Sequence, residues 1–164
     1  MHGVMPVIRR RRHGHADGRG TSSGKATDAM AKQPIEDWAH LPWRKLERVV
    51  YRLQTRIFRA SERGNVQVVH SLQRLLMKSE AARCLAVRRV TQDNRGKNTA
   101  GMDGVKTVSP AQRSRLVVLL GQPDAIRPRP TRRVWIPKPG KTEKRPLGIP
   151  VMLDRAHQAL VKLA

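Results

Sequence analysis

Arg132-Arg133-Val134-Trp135-Ile136-Pro137-Lys138-Pro139-Gly140-Lys141-Thr142-Glu143-Lys144-Arg145-Pro146-Leu147-Gly148-Ile149-Pro150 is the stretch whose reading decides the fold. Two apolar runs with a β-branched bias, 132–136 and 145–149, flank a linker of Pro, Gly and Lys. That pattern predicts a β-hairpin whose turn carries much of its positive charge. A basic hairpin of this kind is shaped to lie along phosphates. Arg132, Arg133, Lys141 and Lys144 are its candidate nucleic-acid contacts.

Upstream of the hairpin the pattern is helical. Trp43, Leu46, Val49, Val50, Leu53, Ile57 and Ala60 recur at steps of three and four, one apolar stripe on a helix. Arg44, Lys45, Arg48, Arg52, Arg56 and Arg59 fall mainly on its other sides, and Arg52 and Arg56 are the nucleic-acid candidates here. Gly64 marks a helix end and Asn65 a cap for the next helix, whose face is Val66, Val69, Leu72 and Leu76. A third helix is expected over Ser79–Val90, and glycine and asparagine then break regular structure up to Gly104. Ser109-Pro110 opens a helix ending at Gly121, with Ser as N-cap and Pro in the first turn. Gln122–Pro130 leads in extended form to the hairpin. A last helix starts near Met152, and its stripe of Ala156, Leu160 and Leu163 is expected to find little to pack against. The expected fold class is α+β: a helical hairpin, further helices and one basic β-hairpin.

Composition narrows the partners. Thirty-four Lys and Arg against twelve Asp and Glu give a net charge of +22, spread over the whole length. Such a chain repels itself and favours a polyanion. No apolar run approaches the roughly 20 residues of a membrane span, and no signal peptide is visible, so nucleic acid is favoured over a membrane. The aromatics are only Trp38, Trp43, Tyr51, Phe58 and Trp135, which points to phosphate contact over base stacking. Cys84, the single cysteine, reads as a small apolar residue on a helix, and no metal site is expected. Residues 1–33 have the composition of a disordered basic tail, followed by one domain over 34–164. Two readings of that tail stand side by side: an RNA-contacting arm at Arg9–Arg12, or an extended reading frame upstream of a true start at Met30.

Several segments, in this order, resemble the N-terminal and fingers region of group II intron reverse transcriptases. They are Arg52–Ile57, Ser71–Leu76, Ala86–Thr91, the loop Gly96–Gly104, the hairpin, and Asp154–Ala164. The family usually has valine where Met102 stands, and the connector between Gly104 and Arg127 is shorter than is common. The resemblance implies an RNA-directed DNA polymerase and maturase of a mobile element, cytoplasmic and bacterial. In such an enzyme the fingers close over template, primer and nucleotide. It places the triphosphate-contacting residues on Lys138 and Arg145, where a point charge and a planar fork suit phosphate oxygens. It also implies that the carboxylates holding two magnesium ions belong to a palm. This chain has one tyrosine, Tyr51, and no adjacent aspartates, so no catalytic or metal residue is assigned to it. Asp103 and Asp154 fall in fingers motifs. The expectation is an RNA-binding portion, ending before the palm and inactive alone. Its alternatives are a free-standing RNA-binding remnant and the first half of a split enzyme completed by a separately encoded palm and thumb.

Overall fold

A computed structural model describes Ile35, residues 37–122, Asp124 and residues 126–164. The expected tail over 1–33, with Arg9–Arg12 and Met30, lies outside the described residues. Five helices and one two-stranded antiparallel sheet follow in order, an α+β arrangement. They are α1 (Trp43–Glu62), α2 (Val66–Lys78), α3 (Glu80–Arg88), α4 (Pro110–Leu120), β1 (Arg132–Pro137), β2 (Lys144–Ile149) and α5 (Met152–Leu163).

The helix boundaries follow from local chemistry. Gly64, at φ +67°, turns the chain after α1, a left-handed conformation that glycine adopts without strain. Asn65 then caps α2, its side-chain oxygen accepting from Val68 N at 3.2 Å. Ser109 and Gln112 close a capping box at the start of α4, with Pro110 in the first turn.

The third helix differs from its expected extent. α3 stops at Arg88, and the chain continues as a π-helical turn over Arg89–Asp93 and a 3-10 turn over Arg95–Asn98. Thr91 supports the change of pitch by donating its hydroxyl to Val87 O at 2.8 Å. Trp38 closes over the turn, its indole N–H donating to Gln92 Oε1 at 2.9 Å.

α3 is the hub of the body. Ala81, Ala82, Arg83, Cys84, Ala86 and Val87 are all buried, so every side of the helix is covered. It packs against α1, α2, α4 and α5. Small side chains make this possible, because Ala82 and Ala86 let neighbouring helices come close. Arg83 buries its guanidinium beside Gly121, where an added Cβ would lie on top of Nη1. There its charge complements the C-terminal end of the α4 dipole.

The last helix corrects an expectation. Ala156 and Leu160 are 0% and 1% exposed, buried chiefly against α3. The stripe is partnered because an alanine-rich α3 offers a close-fitting surface that α1 and α2 do not use up. Gln54 Nε2 donates to Leu163 O at 2.9 Å, and Gln73 Nε2 donates to Ala164 O at 3.1 Å. Side chains from α1 and α2 thus satisfy carbonyls at the C-terminal end of α5, groups no helix can satisfy within itself.

Candidate nucleic-acid interface

The hairpin stands on a base built from two of the segments singled out in the sequence. Arg155, in the first turn of α5, donates from Nε to Pro150 O at 2.9 Å and from Nη1 to Gly96 O at 3.1 Å. Its Nη2 reaches Thr99 O. Gly101 lies directly under the link between β2 and α5; a Cβ there would sit 2.8 Å from Pro150 O and from Val151 Cα. Asp154 accepts from Arg129 N at 3.1 Å and so ties the lead-in of β1 to α5. The glycine-containing loop, unremarkable as a connector, is the seat on which the hairpin is fixed.

Above that seat the strands pair from Arg132 opposite Ile149 to Pro137 opposite Lys144. The register continues one step into the turn, where Lys138 N donates to Glu143 O at 3.0 Å. Side chains alternate between faces along a strand. Arg132, Val134, Ile136 and Lys138 therefore share one face with Glu143, Arg145, Leu147 and Ile149. The other face carries Arg133, Trp135, Lys144 and Pro146. Lys138 and Arg145 are brought together on one face, while Arg133 and Lys144 lie on the opposite one. Lys141 sits in the turn beside Gly140, whose φ is +69°.

Pairing separates these cations. Lys138 Nζ lies 2.6 Å from Glu143 Oε2, so part of its charge is already answered. Arg132, Arg133, Lys141, Lys144 and Arg145 are exposed and form no ion pair among the described residues. Trp135, 57% exposed between Arg133 and Pro137, adds a flat apolar surface. Sequence reasoning sets stacking aside on the small number of aromatics. It lacks their exposure, which only the fold reveals.

Arg52 and Arg56 lie on α1, away from the hairpin. They are exposed, and Arg52 lines a shallow groove between α1 and α2 with Val49, Leu53, Leu75 and Lys78. A larger groove of about 820 Å³ runs between α1, the π turn and α5. Arg88, Arg89, Arg95, Arg155 and Lys162 line it, against Glu47 and Asp93. Arg88 is occupied: it pairs with Glu47 at 3.3 Å and Asp93 at 3.7 Å and stacks over the Trp43 ring at 4.8 Å. Arg89, Arg95 and Lys162 remain as its unpaired cations among the described residues. Sequence reasoning missed this groove because its residues come from three separated segments.

The carboxylates are dispersed. Glu47 and Asp93 serve Arg88, Glu143 serves Lys138, Asp103 accepts from Val105 N, and Asp154 accepts from Arg129 N. Asp37 pairs with His40, and that hydrogen bond holds its carboxyl below the usual range. No three His, Cys, Asp or Glu side chains come together among the described residues. This donor set does not fit a two-magnesium centre, which needs carboxylates converging on metals about 4 Å apart. Cys84 is shut in the core, where burial, with Glu80 nearby, pushes its thiol up to about 12.

Comparison with known proteins bears on the helical body. Residues 38–120, about half of the chain, match the model of the N-terminal domain of reverse transcriptase. A 74-residue stretch is 35% identical to Maturase-like protein 1 of Euglena gracilis. That stretch covers 45% of this chain and 16% of the relative, so the chain spans only a small part of that protein's length.

Proposed function

Because the chain belongs to the family of reverse transcriptase N-terminal domains, we propose that it binds RNA as the N-terminal and fingers portion of a group II intron-type reverse transcriptase or maturase. The observation that carries this reading is the hairpin. Arg132, Arg133, Lys144 and Arg145 stand exposed without carboxylate partners, on a ribbon held from below by Arg155 and Gly101. Phosphate oxygens are the natural complement of such an array. Arg89, Arg95 and Lys162 in the neighbouring groove extend the cationic surface over the helical body.

In an assembled enzyme Lys138 and Arg145, sharing one hairpin face, hold the triphosphate of the incoming nucleotide. Glu143 then acts as a counter-charge that Lys138 exchanges for phosphate. Polymerisation requires a palm bringing paired carboxylates and magnesium, and the present chain alone does not extend a primer.

The test is a salt titration of RNA binding by the purified chain. Log affinity is expected to fall linearly with log salt, by roughly 0.7 per neutralised phosphate on single strands. Affinity that is flat from low to physiological salt overturns the reading.

A further inference from the structure

α1 carries two aromatic rings that the core does not use. Tyr51 is 70% exposed and Phe58 62% exposed. Seven residues apart, they lie on the same side of the helix, separated by about 10 Å along its axis. That side is turned away from Leu46, Leu53 and Ile57, which pack on the core. Exposed phenylalanine is costly to keep in water, and two rings in register form a surface, not a scatter.

The surroundings of the rings are cationic. Arg44 and Arg48 lie on the same side of α1, two turns and one turn before Tyr51 respectively, and with Glu47 they line a depression against the Tyr51 ring. Arg59 adjoins Phe58. Of the two acids on the helix, Glu47 is engaged by Arg88, while Glu62 stands exposed one turn after Phe58 on the same side, so the cationic character is strongest at the Tyr51 end. Glu47 also lines the large groove holding Arg89, Arg95 and Lys162, so ring surface and groove adjoin.

We infer that the Arg44–Arg48–Tyr51–Phe58 side of α1 is a stacking platform for unpaired bases of single-stranded RNA. The proposal rests on the RNA-binding reading and adds to it a strand type and a mode of contact. Single strands fit for two reasons. A duplex keeps its base faces stacked on one another and offers a ring nothing to lie against. An extended strand presents free base faces together with phosphates, matching the alternation of Tyr51 and Phe58 with arginine. The separation of the rings assigns them to different bases, with at least one nucleotide spanning between. A protein partner covering the rings would need an acidic surface to face the arginines; its signature is an outcome of the test.

The experiment compares the full chain with Tyr51→Ala/Phe58→Ala and Tyr51→Trp/Phe58→Tyr. Each binds an unstructured mixed-sequence oligoribonucleotide and a blunt RNA duplex, at several salt concentrations. Circular dichroism confirms that α1 persists in each variant. The alanine pair is expected to lose about tenfold or more in affinity for the single strand, with little change for the duplex and an unaltered salt slope. The aromatic pair should keep the parental affinity. Equal single-strand affinity in the alanine pair overturns the platform, leaves the RNA-binding reading intact and returns the rings to a protein partner. Equal loss on single strand and duplex also overturns it, because stacking cannot act on a closed duplex. A parental chain that binds neither RNA removes both readings together.

Discussion

In the helical body Leu76, Ala86, Val87 and Leu160 are shut away from water, whereas in the hairpin Trp135 and Leu147 stand about half in it. The body packs four helices around α3, and the hairpin's strands pack extensively only on each other. An isolated two-stranded ribbon is marginal in water. This one persists because its base is anchored: Ile149 is buried, Arg155 grips the carbonyls beneath it, and Gly101 fits under Pro150. Stability and charge are therefore kept apart. Apolar burial in the body holds the shape, and the hairpin presents cations whose loss leaves that shape alone. A substitution should move stability or RNA affinity according to its region, and this is where the contrast can be broken.

The largest effect is expected from the body. Leu160→Ala removes a side chain buried against α3 and leaves a cavity the surrounding helices cannot easily close. A loss of about 3 kcal/mol is expected in chemical denaturation. RNA affinity of the folded variant should stay within about twofold of the parent. The same packing predicts slow hydrogen exchange through Ala156–Leu160. Rapid exchange there would mean that α5 is not part of the body.

The reciprocal test removes the hairpin's charge. Arg132, Arg133, Lys144 and Arg145 changed together to Ala should lower RNA affinity by about two orders of magnitude at low salt. The salt slope should fall by about 3, four contacts at roughly 0.7 each. The denaturation midpoint should barely move, since none of the four is buried or in an ion pair among the described residues. An unchanged salt slope would show that RNA reaches the groove or α1 without the hairpin.

Much of this division was legible in the sequence, and the failures are instructive. Period-2 and period-3.6 patterns with capping residues located the hairpin and helices within a few residues, because those signals are local. Tertiary contacts were not legible. The alanines of α3 read as an ordinary helix, yet their smallness makes it the hub and gives α5 its partner. Gln54 and Gln73 belong to segments quoted for the family resemblance, but their bonds to Leu163 O and Ala164 O cross 109 and 91 residues. Counting aromatics could not show that Tyr51, Phe58 and Trp135 face water. The candidate cations were found by type, while the answering of Lys138 by Glu143 needed the register of the turn.

The body can also be probed through its one thiol. Burial raises the Cys84 pKa from 9.0 to about 12, so the folded state holds the proton more tightly than the unfolded one. The associated stability is complete below about pH 9 and is lost as pH climbs towards 12. The denaturation midpoint of the parent should fall over that window relative to Cys84→Ala, which has no proton to release. At pH 8 the native thiol should resist alkylation, and denaturant should expose it. Rapid labelling of the native chain would place Cys84 outside the packed hub.

The smallest expected effect concerns the seam between α5 and the α1–α2 hairpin. Gln54 and Gln73 each give one hydrogen bond to a carbonyl at the end of α5, and both are partly buried. A neutral hydrogen bond contributes about 1 kcal/mol net, and a carbonyl left without a partner near the core costs somewhat more than one that reaches water. Gln54→Leu or Gln73→Leu keeps comparable bulk and removes only the donor, so each should lower stability by about 1 kcal/mol. Because the two carbonyls are adjacent on one helix end, the pair should lose less than the sum, since the last turn frays once either hold is released. The readout is hydrogen exchange at residues 161–164, faster in the variants while Ala156 stays protected. RNA affinity should be unchanged for Gln73→Leu, since Gln73 lies on neither the hairpin nor α1. A fall in affinity without loss of stability would connect the end of α5 to the RNA surface and blur the separation between body and hairpin.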